Sequence, residues 1–393
     1  MRPDNHEHHA GCGHSRRTFL TGLAAAGIGV GAAACAGGAT EQAAPAAEAN
    51  AGDQIPDAGN ENRISVHHHY APPMWVKVLT ENDALNATAW KGWQPSHAVE
   101  AMDRAGVRTS ISSITVPGIY FWEGFGNQQA PPGAKVKNDV VAMARDANDF
   151  GAKMKADYPG RFGIWASLPL PLVDESLKEI EYALDTLKLD GIGFNTSIGA
   201  KYMGDLSFTP VMEELNRRKT VVYTHPGAAP CCLYLIPKVG PTTLEYSQDT
   251  ARTIVSWIQS GQAAKFPDIG WIFSHGGGDI WSQRYINGEY GTSRTAYASP
   301  EKAPEKISFL KKYYYDTAAS GNWVMMQNLK QIIGTSQIVL GDDHPYGEPL
   351  TYVKQLKELA TDGTLTVDEV NAILRDNMLR FMPQLKSYQA STT

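Results

Sequence analysis

Histidines are the residues of this chain whose type and spacing point most directly to chemistry. The chain has 393 residues and 11 histidines, seven of which follow residue 62. His67, His68 and His69 stand together at the end of an apolar segment. If that segment is a β-strand, the side chains of His67 and His69 lie on one face and that of His68 lies on the other. Two neutral imidazoles on one face can bind a single Zn²⁺ or a similar ion.

Two further segments end in residues that would complete such a site. The run that begins at Thr220 ends at His225, and Asp343 lies in the sequence GDDHP after another apolar run. A nitrogen from His225 and an oxygen from Asp343 would give three histidines and one aspartate around an ion. That set with an open position is typical of catalytic metal sites. The alternative is that these histidines are unconnected core or surface residues.

The elements that would position these residues are eight alternating strands and helices. The predicted strands are Arg63–His69, Val107–Thr115, Phe162–Ser167, Gly191–Thr196, Thr220–His225, Gly270–Ser274, Tyr313–Asp316 and Ile338–Leu340. Continuous apolar runs of this kind favour a parallel sheet that is buried on both faces. We therefore predict an α/β fold, a (β/α)8 TIM barrel with insertions. The alternative is an open doubly wound sheet, but no glycine-rich phosphate loop follows the first strand.

The predicted barrel brings the candidate ligands to one place. In such a barrel the carboxyl ends of the strands converge at one mouth, where active sites lie. His67, His69 and His225 lie at the ends of predicted strands, and His275 and Asp343 follow the sixth and the eighth. Helical periodicity also predicts helices over Asp174–Leu184 and Val367–Phe381.

Composition limits the class of protein. Hydrophobic residues make up 42% of the chain and aromatic residues 9%, which is enough to build a full core. The net charge is −6, and the 35 lysines and arginines form no basic stripe after the first 20 residues. This distribution argues against a nucleic-acid-binding protein.

The first 62 residues are predicted to be an export signal followed by a tether. Arg16 and Arg17 precede a short Ala/Gly-rich apolar stretch, a pattern typical of signals read by the twin-arginine export machinery. The sequence before Cys35 resembles a lipobox. The alternative to cleavage into a free periplasmic protein is therefore a lipid anchor at Cys35. The predicted location is the periplasm or the outer side of the cytoplasmic membrane. The predicted organisation is a signal peptide over 1–35, a flexible linker over 36–62, the barrel over 63–385 and a tail over 386–393.

Several short motifs along the barrel identify a family. They are VHHHYAPP from Val66, THP from Thr224, SHGGG from Ser274, YDT from Tyr315 and GDDHPY from Gly341. Together they resemble the amidohydrolase-related barrels of the aminocarboxymuconate-semialdehyde decarboxylase type. The HHHYAPP opening and the turn Leu168–Pro171 are most similar to the 6-methylsalicylate decarboxylase branch.

The resemblance implies a role for each candidate residue. The implied metal ligands are His67, His69, His225 and Asp343, with Asp343 either on the metal or beside it. His275, next to Gly276–Gly278, would be the acid/base group. Members with two metals carry a bridging lysine at the end of the fourth strand, and here the end of that strand reads GFNTS from Gly193, with no lysine before Lys201. One divalent ion is therefore expected, with Zn²⁺ favoured over Mn²⁺, and a homodimer is implied as well.

The expected substrate is a small carboxylic acid. An arginine that grips a carboxylate in the muconate decarboxylases is missing from the loop around Trp90 and Trp93, so a muconate dicarboxylate is not expected. The candidate substrate-binding residues are Trp122, Asn195, Tyr202 and Arg284.

Three functions remain open at this point. In a non-oxidative decarboxylation of an aromatic or enol acid, the ion would hold the carboxylate and a neighbouring oxygen, and either Asp343 or His275 would protonate the carbon that loses CO₂. The alternative is hydrolysis of an ester, amide or lactone by metal-bound hydroxide, with His275 as base. The third function is metal or ligand binding without catalysis. A serine hydrolase is not predicted, because no Gly-x-Ser-x-Gly elbow is present.

Overall fold

Eight parallel strands form a nearly closed barrel in the computed structural model of the chain. The structure describes residues 62–81, 87–119, 134–199, 201–229, 232, 236–283 and 304–390. The predicted signal peptide, and the predicted linker up to residue 61, lie outside the described residues. The barrel strands are β1 (Arg63–His69), β2 (Val107–Ser113), β3 (Phe162–Ser167), β4 (Gly191–Asn195), β7 (Val221–His225), β8 (Gly270–Phe273), β9 (Tyr314–Asp316) and β10 (Ile338–Val339). The short strands β5 (Ser197–Ile198) and β6 (Lys201–Tyr202) form an antiparallel hairpin after β4.

Helices connect the strands and cover the outside of the barrel. They are α1 (Pro73–Glu81), α2 (Pro95–Arg104), α3 (Ala134–Asp157), α4 (Val173–Glu181), α5 (Thr209–Arg217), α6 (Glu245–Gln259), α7 (Gln262–Lys265), α8 (Pro304–Leu310), α9 (Trp323–Ile332), α10 (Pro349–Thr361), α11 (Val367–Asn371), α12 (Asn377–Phe381) and α13 (Lys386–Ala390). A π turn, Tyr182–Thr186, extends α4, and another, Ala372–Asp376, joins α11 to α12. No helix in the described ranges has the length and apolar character needed to cross a membrane.

The eight barrel strands pair in one continuous order, β1-β2-β3-β4-β7-β8-β9-β10, and every neighbouring pair is parallel. Backbone hydrogen bonds between the two end strands bring the barrel close to closure. The N–H of Val66 donates to the carbonyl of Leu340 at 2.9 Å, and the N–H of Asp343 donates to the carbonyl of His67 at 2.8 Å. The carboxyl end of β1 is therefore fixed directly beside the segment that follows β10.

A β-bulge in β1 divides the barrel interior into a floor and a mouth. The register between β1 and β2 shifts between Ser65 and His68. Below the bulge, Ile64 and Val66 pack in one cluster with Trp165 and Tyr223. The rings of His67 and His69 lie beyond it, next to each other. Bulges are frequent next to active sites because they re-aim side chains in this way.

The amino-terminal end of the barrel is closed by residues from the last helices. Met378, Leu379, Met382 and Leu385 belong to the same cluster as the floor of the barrel. Within the predicted tail, α13 also contacts the barrel, because the Tyr388 hydroxyl donates to Asp190 at 2.5 Å. The interior floor is thus shielded from water by the carboxyl-terminal segment.

Glycine is required where β4 passes the largest side chain of the floor. A Cβ atom at Gly191 would lie 2.4 Å from the carbonyl oxygen of Val221 and 2.7 Å from the Trp165 ring. Trp165 is fully buried and its indole N–H donates to the carbonyl of Val66 at 2.9 Å. The small residue in β4 therefore makes room for the ring that supports β1 beneath the histidines.

The secondary structure predicted from sequence is confirmed along the barrel. All eight predicted strands are present, and their ends differ from the prediction by no more than two residues. The helix predicted over Asp174–Leu184 is observed as α4 and its π extension. The last predicted helix, Val367–Phe381, is one continuous helical run with a π turn in its middle.

Candidate metal centre and active site

Four side chains converge at the mouth of the barrel. His67 and His69 come from the end of β1, His225 ends β7 and Asp343 follows β10, and one ligand atom of each lies within 4.8 Å of the others. The ring centroids of the three histidines are 4.7 to 5.1 Å apart. Nε2 of His67 and Nε2 of His69 are 3.1 Å and 3.0 Å from Oδ1 of Asp343. The structure therefore brings together all four residues that the sequence suggested as metal ligands.

Hydrogen bonds of Nδ1 orient the rings of two of these histidines so that Nε2 faces the centre. His67 Nδ1 donates to Oδ2 of Asp316 at 2.8 Å, and His69 Nδ1 donates to the carbonyl of Ser113 at 3.3 Å. Because both partners are acceptors, Nδ1 carries the proton and Nε2 presents a lone pair to the centre. The Asp343 carboxylate presents lone pairs to the same point. Such a set needs a positive charge between its members, and three nitrogens with one oxygen suit Zn²⁺ or Mn²⁺.

The pKa values of the residues in this centre also indicate that a positive charge belongs between them. Burial lowers the pKa of His67, but the nearby carboxylates of Asp316 and Asp343 outweigh it and raise the pKa to about 10. Burial would raise the pKa of Asp343, yet the charge and hydrogen bond of His67 hold it well below its ordinary value. A proton between these two groups occupies the place that a cation would take. Burial, reinforced by the neighbouring imidazoles, lowers the pKa of His225 and keeps that ring neutral, the form that binds metals.

His275 lies at the edge of this centre, on the turn after β8. Its ring stacks on that of His67 with centroids 5.2 Å apart, and its Nε2 is 3.9 Å from Oδ2 of Asp343. Nε2 is buried and has no hydrogen-bond partner among the described residues. Burial and the charge of His67 lower the pKa of His275. A neutral imidazole with an unused nitrogen beside the ligand set has the placement of an acid/base group.

The glycines after His275 allow this turn to fold back onto helix α6. Gly276, Gly277 and Gly278 all have positive φ, a conformation that residues with a Cβ rarely adopt. A Cβ atom at Gly278 would lie 2.1 Å from the carbonyl oxygen of Ser247 in α6. The SHGGG motif is therefore explained by backbone geometry that places the His275 ring over the mouth.

Asp316 is a residue of this site to which the sequence analysis gave no role. It ends β9, is fully buried, and accepts hydrogen bonds on both carboxylate oxygens. Besides His67, its partners are the backbone N–H groups of His275 at 2.9 Å and Ala318 at 3.0 Å and the hydroxyl of Tyr223, which donates to Oδ2 at 3.4 Å. The available signal was its position, because an aspartate at the carboxyl end of a barrel strand points to the active-site end of the fold.

A second histidine cluster lies on the other side of β1. The rings of His68 and His344 stack with centroids 4.8 Å apart. His68 Nδ1 donates to Oδ1 of Asp342 at 2.9 Å, and the backbone N–H of His344 donates to the same oxygen at 3.1 Å. His68 therefore points away from His67 and His69, as strand alternation predicts, and ties β1 to the segment after β10. His97 is exposed on α2.

A small cavity adjoins His225 on the side of β2, β3 and β4. Its polar lining includes Ser113, Ser167 and Asn195, and its apolar lining includes Ile114, Ile119, Leu168 and Phe194. Two tyrosines flank the ligand set, because the Tyr246 ring is 6.5 Å from that of His225 and the Tyr346 ring is 5.9 Å from that of His69. The space next to the centre is thus mainly apolar and aromatic, with a few polar groups that can orient a ligand.

Of the four predicted substrate-binding residues, one lines the cavity beside His225, one does not, and two lie outside the described residues. Asn195 lines the cavity. Tyr202 does not line it, and its hydroxyl donates instead to Oδ1 of the buried Asp249 at 2.8 Å. Asp249 also accepts from Thr196 and Ser197, so this cluster braces the β5–β6 hairpin. Trp122 and Arg284 lie outside the described residues.

Comparisons with known proteins agree with this site. The sequence pattern of the family described as Amidohydrolase matches residues 64–383. Decarboxylase yanB of Aspergillus niger is 32% identical over 83% of this chain and 88% of its own length. The 6-methylsalicylic acid decarboxylase acuB of Aspergillus aculeatus is 29% identical over 84% of this chain and 98% of its own length.

A solved structure has the same fold. A dihydroxybenzoic acid decarboxylase from Polaromonas, with bound manganese and the inhibitor 2-nitroresorcinol, superposes with a TM-score of 0.66. It is 19% identical and is matched over 84% of this chain and 98% of its own. The resemblance inferred from the sequence motifs is confirmed: the chain belongs to the amidohydrolase family, and it is similar in sequence to named decarboxylases and has the same barrel fold as a solved one.

Proposed function

We propose that the protein catalyses the metal-dependent, non-oxidative decarboxylation of a small aromatic acid of the salicylate type. The observation that carries this proposal is one arrangement of side chains. The lone pairs of His67, His69 and Asp343 meet at one point, and the neutral His275 has its unpartnered Nε2 3.9 Å from Asp343. The names of the relatives yanB and acuB support decarboxylation over other reactions of the same metal set.

His67, His69, His225 and Asp343 would hold one divalent ion, and Zn²⁺ is the first candidate, with Mn²⁺ as the alternative. When bound, the ion supplies Lewis-acid chemistry and a fixed point for the carboxylate and the ortho hydroxyl of the substrate. Manganese is the metal in the Polaromonas decarboxylase. The residues around the ion then decide how the substrate ring lies and where its proton comes from.

The aromatic ring of the substrate would lie against the residues that line the cavity beside His225. Ile114, Leu168 and Phe194 offer apolar contacts to the ring, while the amide of Asn195 can bind a polar substituent. A ring held in this cavity directs its carboxylate towards His225 and the other ligands. This arrangement favours a substrate with one apolar side and with its oxygen atoms gathered on the other.

His275, which is neutral in the free protein, would take up a proton on Nε2 as the substrate binds, and either His275 or Asp343 would deliver that proton to the substrate. The ring carbon that bears the carboxylate gains a proton, the bond from this carbon to the carboxyl carbon breaks, and CO₂ leaves. The electron pair of that bond restores the aromatic ring, so that one proton is consumed for each CO₂ released. His275 Nε2 and Asp343 Oδ2 are 3.9 Å apart, close enough to act on the same substrate atom.

An assay with the full chain tests this function. Protein loaded with Zn²⁺ or with Mn²⁺ is incubated with salicylate, 6-methylsalicylate and 2,6-dihydroxybenzoate, and CO₂ and the phenol product are quantified. We expect metal-dependent CO₂ release from at least one of these acids. His275→Asn should lower the rate by about 10²- to 10⁴-fold, because it removes the acid/base group. The exposed His97→Asn is the matched control and should retain the wild-type rate.

Two other results would contradict the proposal. Release of acid from an ester or lactone without CO₂ from any acid would identify a metal-dependent hydrolase, the alternative that uses the same ligands. Tight metal binding with neither reaction would identify a binding protein.

We also propose that the chain is exported by the twin-arginine route. Replacement of Arg16 and Arg17 by lysine should retain the protein in the cytoplasm, and cell fractionation would show this. Labelling with a fatty acid, with Cys35→Ser as control, distinguishes a lipid-anchored form from a cleaved periplasmic form. Equal periplasmic amounts of the lysine variant and the wild type would contradict the proposal. Light scattering on the purified protein tests the homodimer.

A further inference from the structure

We propose that Asp316 is a positioning residue that couples the metal centre to His275. Asp316 is fully buried at the end of β9. Its Oδ2 accepts from His67 Nδ1 at 2.8 Å, and its Oδ1 accepts from the backbone N–H of His275 at 2.9 Å and of Ala318 at 3.0 Å. One carboxylate thus fixes a metal ligand with one oxygen and the backbone of the acid/base residue with the other.

The first part of this role concerns the tautomer of His67. Because a carboxylate only accepts hydrogen bonds, it requires the proton of the imidazole on Nδ1 and leaves Nε2 free to bind a metal. In an Asp316→Asn variant, the amide oxygen can still accept from the two backbone N–H groups. The amide nitrogen then faces His67 Nδ1 as a donor. That donor favours the other tautomer, with a proton on Nε2, which cannot ligate an ion.

The second part concerns the backbone of His275. His275 has a φ of 52°, in the left-handed region that is unfavourable for residues other than glycine. The hydrogen bond from its N–H to Asp316 is one of the contacts that hold this conformation. The conformation in turn places the His275 ring on that of His67. A change at Asp316 therefore disturbs both rings at once.

The chain contains a matched control in Asp342. This aspartate is also fully buried, accepts from the Nδ1 of a β1 histidine (His68) at 2.9 Å, and accepts from a backbone N–H, that of His344, at 3.1 Å. Both aspartates accept from a β1 histidine and from a backbone N–H; Asp316 also accepts from Ala318 N–H and the Tyr223 hydroxyl. Only Asp316 is attached to a ligand of the centre. A purely structural role predicts equal effects of the two asparagine variants, and a positioning role predicts different ones.

The experiment compares wild type, Asp316→Asn and Asp342→Asn as full chains. Zn²⁺ affinity is measured by competition with a chromophoric chelator, and the fold of the metal-free proteins is checked by circular dichroism and thermal unfolding. We expect Asp316→Asn to weaken Zn²⁺ binding by about 10- to 100-fold, and Asp342→Asn to change it by less than about threefold, even where both lose thermal stability. Wild-type affinity in Asp316→Asn, or equal weakening in both variants, would overturn the inference.

A second variant keeps the test decisive if Asp316→Asn does not fold. A Cβ atom at Gly341 would lie 2.9 Å from Asp316 Cγ and 2.9 Å from His67 Cβ. Gly341→Ala therefore separates the pair without removing either side chain. A folded Gly341→Ala protein should bind Zn²⁺ at least about tenfold more weakly, and unchanged affinity would contradict the coupling.

The kinetic part of the inference rests on the proposed function. At saturating Zn²⁺, Asp316→Asn should lower kcat by more than it raises KM, because His275 is displaced while the substrate cavity is intact. Failure of the proposed function would appear as a lack of CO₂ release by the metal-loaded wild type. Failure of the present inference would appear in the Zn²⁺ affinities, which need no substrate.

Discussion

His67 and His68 are neighbours in the chain, and both place Nδ1 against a buried aspartate, yet they belong to different regions of the molecule. His67 faces the barrel axis, where its Nε2 meets Asp343 and the other ligands. His68 faces outwards, where its ring stacks on His344. A histidine–aspartate pair thus supports the metal centre on one side of β1, and on the other side it ties β1 to the segment after β10. What differs is the surroundings of the second nitrogen, which decide whether the pair binds a metal.

The largest expected effect separates the two histidines directly. His67→Ala should weaken Zn²⁺ binding by about 10²- to 10³-fold, because four ligands share roughly 10–16 kcal/mol of binding free energy. His68→Ala should keep the affinity within about threefold and lower the free energy of unfolding by about 2–4 kcal/mol, since it leaves Asp342 buried without its partner. Metal analysis and denaturant unfolding measure both quantities. Equal loss of metal in the two variants would remove the distinction between the regions.

Metal removal sharpens the same comparison. An ion present at 100 times its Kd stabilises the folded state by about 2.7 kcal/mol, so chelation should lower the Tm of the wild type measurably. His68→Ala should start from a lower Tm and lose the same increment on chelation. His67→Ala should lose almost none of its Tm on chelation. A chelator-dependent shift of wild-type size in His67→Ala would show that the ion binds elsewhere.

Two predicted substrate residues extend the comparison to the cavity. Asn195→Leu should raise KM by about tenfold, which corresponds to roughly 1.4 kcal/mol for one lost polar contact with the substrate. Tyr202→Phe should leave KM unchanged and cost about 1 kcal/mol of stability, because it removes the hydrogen bond to Asp249. Steady-state kinetics and thermal unfolding on both variants check these values. A raised KM in Tyr202→Phe would place that hydroxyl in contact with the substrate.

The smallest expected effect concerns a carboxylate at the surface, far from either histidine cluster. The hydrogen bonds and charges of Arg217 and Arg218 lower the pKa of Glu214 from 4.5 to about 2. Because the folded-state pKa is depressed, the stabilisation is complete above pH 4.5 and is lost as the pH falls towards 2. Solvent screening limits it to about 1 kcal/mol. Glu214→Gln should therefore be less stable than wild type at pH 7 and equally stable near pH 2, with the exposed neighbour Glu213→Gln as control.

The sequence was sufficient for the barrel and for the four ligands because each has a local signature. Buried parallel strands are continuous apolar runs, and a histidine or aspartate at the end of such a run is easily seen. The alternation of His67, His68 and His69 also predicted correctly that His68 faces away from its neighbours. These features depend on residues that are close together in the chain.

The parts that could not be predicted depend on residues far apart in the chain. Asp316 and His67 are separated by 249 positions and meet only because β9 and β1 end at the same mouth. The hydroxyl of Tyr202, a predicted substrate-binding residue, donates to Asp249 on α6, 47 positions away. Neither the tautomer of a histidine nor the partner of a tyrosine follows from spacing, because both are set by contacts across the barrel.

The closure of the barrel floor has a consequence for the order of events during synthesis. Ile64, Val66 and Trp165 are made early, but the side chains that cover them, Met378, Met382 and Leu385, are made more than 200 residues later. Until that segment leaves the ribosome, a ring of eight strands has an open apolar base. The final compaction of this domain must therefore wait until the segment with Met378, Met382 and Leu385 has left the ribosome, and a nascent chain without it exposes the apolar base of the barrel.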